Sequence, residues 1–116
     1  MSSAPKEDAP KDVASKGVAK SYWIGRVDVH DLDAYKRYVE ANAAVFAEYG
    51  AKFLVRAGQF ENPEGSARSR NVVLEFDSYE RALACYHSEA YQAIIPLRAD
   101  AGVSQGDVIV IEGYTG

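Results

Sequence analysis

Hydrophobic and polar positions repeat with two different periods along the chain, and each change of period marks an element. Residues 22–29 join aromatic and β-branched types with a late alternation, which predicts a strand. Tyr35, Tyr38, Val39, Asn42, Val45, Phe46 and Tyr49 then fall on one helical stripe, with Asp33, Lys36, Arg37, Glu40 and Glu48 outside it. Asp31 is placed to cap that helix, Asp33 sits in its first turn, and Gly50 stands where a left-handed cap is expected. Residues 52–58 predict a second strand, 59–69 a long hairpin loop with Asn62, Pro63 and Gly65, and 70–76 a third strand. Ser78 caps a second helix over 79–87. Ser88 opens a further helical piece interrupted at Pro96, where the backbone loses a donor. Residues 106–113 predict a closing strand.

The order β-α-β-β-α-β predicts an α+β, ferredoxin-like fold: a four-stranded antiparallel sheet with both helices on one face. Strand alternation then sorts the two faces. In the first strand Trp23, Gly25, Val27 and Val29 should face the helices, with Gly25 allowing close helix approach. Tyr22, Ile24, Arg26 and Asp28 should occupy the free face. The same reasoning assigns Leu54 with Arg56, Val73 with Glu75, and Val108 and Val110 with Glu112 to that face. A face mixing aliphatic side chains with Arg26, Asp28, Arg56, Glu75 and Glu112 suits burial against a second copy, its charges paired in the space between. The bland alternative is a solvated sheet of a monomer.

Composition narrows the function classes. The chain has 116 residues, enough for one core; hydrophobic residues are 47% and charged residues 26%. The net charge of −4 argues against a general nucleic-acid binder, since phosphate contacts need clustered Lys and Arg. No apolar run approaches the roughly 20 residues that span a bilayer. Residues 1–20 hold Pro5, Pro10, four lysines and three acids, with no aromatic and no apolar h-region. They read as an N-terminal tail rather than a secretory signal, and residues 21–116 as the domain. The single cysteine, Cys85, forms no intrachain disulfide and reads as a small core residue. A cytoplasmic setting fits.

The residues 21–29, Asp31 with Tyr35, the run 48–58, the run 73–76 followed by Ser78, the run 86–92 and the pair Glu112-Gly113 resemble the domain-of-unknown-function family 1330. The resemblance covers about 21–113. It implies a dimeric α+β barrel, two ferredoxin-like sheets closing around a shared lumen. The wider superfamily includes small monooxygenases, isomerases and haem enzymes. Two departures stand out: Gly50-Ala51 where the family usually has Gly-Gly, and Arg56-Ala57-Gly58 where it has Arg-Gly-Gly. The first helix also opens Asp31-Leu32-Asp33 in place of Asp-Pro-Glu.

Candidate chemistry centres on Glu75 and Arg56, expected on neighbouring strands and close enough to pair. A desolvated carboxylate can serve as a general acid or base and an arginine can hold an anion in two hydrogen bonds; equally, the two can form a structural ion pair. His87, near a helix end, is a candidate proton shuttle or a capping residue; His30 reads as a turn residue. Tyr22, Arg26, Tyr86, Tyr91 and Glu112 are candidate ligand-binding residues, whereas Tyr35, Tyr38 and Tyr49 read as core with the hydroxyl at the rim. Two histidines and one cysteine give no metal spacing, and no glycine-rich phosphate loop is present, so neither metal nor cofactor is expected. Two functions stay open: a homodimer that binds a small molecule in the lumen, either as a cofactor-independent enzyme or as a ligand-binding protein, and a non-catalytic structural or regulatory homodimer.

Overall fold

The computed structural model describes residues 18–116, so residues 1–17 of the proposed tail lie outside the described residues. The elements run β1 (Ser21–Val29), α1 (Leu32–Glu48), β2 (Lys52–Arg56), β3 (Arg70–Phe76), α2 (Tyr79–His87), α3 (Glu89–Ile94), α4 (Pro96–Ala99) and β4 (Ser104–Glu112). Local chemistry sets most of these boundaries. The Asp31 carboxylate accepts the Ala34 N–H at 3.1 Å, Ser78 Oγ accepts that of Arg81, and Ser88 Oγ that of Tyr91. Pro96 opens α4 at a position where its missing donor costs nothing. Gly50 adopts φ 71° after α1. The last turn of α1 has no basic residue of its own. Arg81 of α2 supplies one, donating to the carbonyls of Tyr49 at 3.2 Å and Glu48 at 3.1 Å.

The strands form one antiparallel sheet in the order β2-β3-β1-β4, which confirms the ferredoxin-like α+β fold. The core is aromatic and centred on Trp23. Its ring meets Tyr91 (centroids 4.9 Å) and Phe46 (5.2 Å) edge-on and stacks near Phe76 (6.1 Å). Leu74, Ala82 and Cys85 complete the buried centre, so Cys85 is the core residue its neighbours predict. Burial pushes its thiol pKa up to about 12.

Strand register confirms the faces of β1 and β3 and corrects those of β2 and β4. On β4, Val110 lies opposite Trp23 and Val108 opposite Gly25, so both valines turn toward the helices. Glu112 lies opposite the buried Ser21 on that same side, while Ile109 and Ile111 share the free face with Ile24 and Tyr22. On β2 the alternation breaks. Phe53 pairs with Leu74 and Val55 with Val73, leaving Leu54 as an extra residue in a β-bulge. Beyond it Arg56 pairs with Val72 on the helix-facing parity. A slip of one residue exchanges faces, and that is the physical reason for the correction on β2. Gly25 is corrected too: an added Cβ there would meet only Trp23 Nε1, at 4.0 Å, so the glycine leaves room instead of admitting a helix.

Candidate functional site

That room is a cavity of about 50 Å³ between the sheet and α1. That volume has room for roughly four waters, or for the body of a compact organic ligand. Trp23, Gly25 and Val27 of β1, Val72 and Leu74 of β3, and Val108 of β4 form its floor. The stripe of α1 roofs it with Tyr35, Tyr38, Asn42 and Phe46, because the side that carries the core also carries these polar groups.

Three arginines reach it from three elements: Arg56 from the end of β2, Arg70 from the start of β3 and Arg98 from α4. The Arg56 guanidinium lies 4.4 Å over the Phe53 ring, Arg70 lies 5.6 Å from the Tyr35 ring, and Arg98 5.3 Å from that of Tyr38. Among the described residues none of the three has a carboxylate within ion-pair distance. Asp107, the only acid of the lining, is engaged by Arg68 at 3.1 Å. Among the described residues, the positive charge at the cavity therefore has no carboxylate paired to it.

Two buried side-chain polar atoms have no hydrogen-bond partner among the described residues. They are Asn42 Oδ1, on a side chain only 6% exposed, and Arg70 Nε. Beside them runs a polar chain: the Tyr38 and Tyr91 hydroxyls bond one another, and Arg98 donates to the Tyr91 oxygen at 3.2 Å. Burial raises the pKa of Tyr91 above the ordinary phenol value, and that of Tyr35 likewise. Burial pulls the Arg98 pKa down, but the neighbouring Tyr91 and Tyr38 hydroxyls more than offset it, leaving it raised.

The residues singled out from sequence are split between the two sides of the sheet. Arg56 lines the cavity; Glu75 faces the other way, where its Oε2 accepts the Tyr22 hydroxyl at 3.3 Å opposite Lys52. The expected Arg56–Glu75 pair is therefore not formed: Glu75 stands opposite Lys52 and Arg56 opposite Val72, at the two ends of the ladder and on opposite faces. Arg26 stays on the free face and donates to the Ser66 carbonyl. Tyr91 is fully buried beneath Trp23, with half-buried Tyr86 against both. His87 is exposed at the end of α2 with its ring against Tyr86, away from the cavity lining, and Glu112 is exposed at the end of β4. Sequence reasoning passed over Asn42, Arg70 and Arg98. Two signals mark the first pair: an amide inside an apolar helical stripe, and an arginine on the apolar parity of its strand. Among the described residues no group of three or more His, Cys, Asp or Glu could hold a metal ion, and no helix is long and apolar enough to cross a membrane.

The model of a domain of unknown function, DUF1330, matches residues 20–114. The chain belongs to this family. Solved structures similar to this DUF1330 chain include RPA0582, a protein of unknown function from Rhodopseudomonas palustris. It is 16% identical, has a TM-score of 0.65, and the match covers 94% of this chain and 97% of that one. Its methylated form gives 15% identity and a TM-score of 0.67, covering 93% and 94%. SnoaB, a cofactor-independent oxygenase from Streptomyces nogalater, is 11% identical with a TM-score of 0.56, covering 85% and 97%. At these identities the likeness is one of fold. No curated sequence matches the DUF1330 chain.

Proposed function

We propose that this DUF1330 chain is a homodimer in which each protomer binds a small organic molecule in the cavity between its helices and its sheet. The unpartnered amide of Asn42 carries the binding reading. A buried polar group without a partner costs on the order of 1–3 kcal/mol, and a ligand that supplies the partner removes that cost. The site expected in a lumen between sheets thus moves to the helix side, while Tyr22 and Glu75 line the space between the two copies. The dimer rests on the free face, where Ile109 is 52% and Ile111 49% exposed beside Ile24, Val55 and Val73. That apolar band is what a second copy would cover. SnoaB, with this fold, is a cofactor-independent oxygenase; the likeness supports extending the reading to catalysis without a cofactor.

A fragment panel followed by NMR at the Trp23 indole tests the cavity. At least one neutral or charged fragment binds saturably, and Gly25→Val, which grows a side chain into the free space, abolishes that binding. Binding unchanged in Gly25→Val, or no fragment bound at all, defeats the reading. Sedimentation tests the dimer: the native chain runs as two copies and Ile109→Glu as one, whereas a monomeric native chain removes the proposal. The structural or regulatory alternative draws on the cavity's size, well below the roughly 300–1,000 Å³ of common ligand pockets. An empty fragment panel with an intact dimer would favour it.

A further inference from the structure

We infer that the ligand of this cavity is a small organic acid with a hydroxyl beside its carboxylate, an inference that rests on the binding reading above. Charge comes first. Arg56, Arg70 and Arg98 converge on one apolar cavity, and none is neutralised by a carboxylate among the described residues. A guanidinium in such a setting keeps its charge for an incoming anion, and its planar fork matches a planar carboxylate in two parallel hydrogen bonds. Arg70 offers the edge for this, since its buried Nε–H has no partner.

The second requirement comes from Asn42. Its Oδ1 accepts and is unfilled, yet a carboxylate has no proton to give. A molecule that answers both Arg70 and Asn42 Oδ1 carries a separate donor on the α1 side, and a neighbouring hydroxyl meets that need. The third comes from the walls. Trp23, Phe46, Val72 and Leu74 are apolar, which selects an organic acid with a short aliphatic or aromatic body over inorganic phosphate. The small volume keeps that body compact.

Three molecules of matched shape separate these requirements: 2-hydroxyisovalerate, isovalerate lacking the hydroxyl, and 3-methylbutane-1,2-diol lacking the charge. Each is titrated into the full chain at pH 7, with the Trp23 indole resonance as readout. The hydroxy acid binds tightest, isovalerate about 3–10-fold more weakly, and the diol about 30-fold or more weakly. Arg70→Gln weakens both acids about 10-fold and leaves the diol unchanged; the exposed Arg56→Gln, which leaves the core untouched, acts in the same direction. A diol that binds as tightly as the hydroxy acid overturns the inference while leaving the cavity a binding site. Equal affinity for the two acids overturns it as well. Failure of all three probes, with fragments from the panel still bound, refutes the acid and spares the cavity; failure of probes and panel together refutes both.

Discussion

Replacing Asn42 by leucine should make the protein more stable and bind less. Asn42 lies on the buried stripe of α1, and its Oδ1 has no protein partner among the described residues. Removing an unsatisfied buried acceptor gains about 1–3 kcal/mol, because its desolvation is no longer uncompensated. Leucine adds roughly 0.5 kcal/mol of helix propensity over asparagine, and its extra apolar surface gains about 0.8 kcal/mol per buried methylene. Both side chains branch at Cγ, so leucine starts from the same outline, and its added volume enters the cavity rather than a packed wall. Some of this is lost to imperfect fit, which leaves a net gain of about 2 kcal/mol. For a domain of this length that corresponds to a rise in Tm of about 10 °C. Urea denaturation at one fixed protein concentration, with m unchanged, measures it cleanly. A variant less stable than the native chain would show that the amide is satisfied in solution, and the argument from an empty acceptor would fall.

Two further substitutions probe the frame around the site. Ala57 follows β2 with φ 57°, a left-handed conformation in which a Cβ costs about 1–2 kcal/mol; glycine removes that strain but frees the unfolded chain. Ala57→Gly should therefore stabilise by about 0.5–1 kcal/mol in the same urea assay, and a loss of stability would contradict the strain. Cys85, buried with its thiol pKa raised to about 12, should resist an aromatic disulfide reagent at pH 8 and react fully once urea unfolds the chain. Its folded pKa lies above the unfolded value, so the stability from keeping the thiol neutral is complete below pH 9 and fades as the pH climbs from there toward 12. The buried tyrosines add a loss of the same sign only from about pH 10. Cys85→Ala should therefore remove about 1 kcal/mol of the decline between pH 9 and 10; an unchanged decline would place its source elsewhere.

The fold was legible because its boundaries are written in local chemistry. Asp31, Ser78 and Ser88 each cap the helix that follows, Gly50 ends α1, and the third strand and second helix occupy the residues their periodicity predicts. The site was less legible. Face assignment by counting works on β1 and β3, where no residue is inserted, and fails on β4 because two parities there look alike: Val108 and Val110 on one, Ile109 and Ile111 on the other. Apolar residues on both faces of a strand erase the alternation that would choose between them. Pairing to Trp23 chooses, and that is a long-range fact. Arg98 was invisible for a similar reason. Its role depends on the turn that Pro96 introduces and on the Tyr91 hydroxyl it meets.

The extra residue at Leu54 is what determines the chemistry of the cavity. Strict alternation along β2 would carry Arg56 to the free face, opposite Asn71 and away from the cavity. With the bulge, Arg56 pairs with Val72 and turns to the helix side, while Glu75 stays on the free face. Glu75 keeps to Tyr22 and stands opposite Lys52, so the free face retains a balanced polar patch beside its aliphatic band. Arg56 joins Arg70 and Arg98 on the other side, where the one acid that lines the cavity among the described residues, Asp107, is engaged by Arg68. Uncompensated charge of one sign is costly beside an apolar core. The aromatic faces of Phe53, Tyr35 and Tyr38 offset part of that cost through cation–π contact. Such contacts hold a guanidinium without consuming the hydrogen bonds at its edge, and those edges are what an incoming anion would meet.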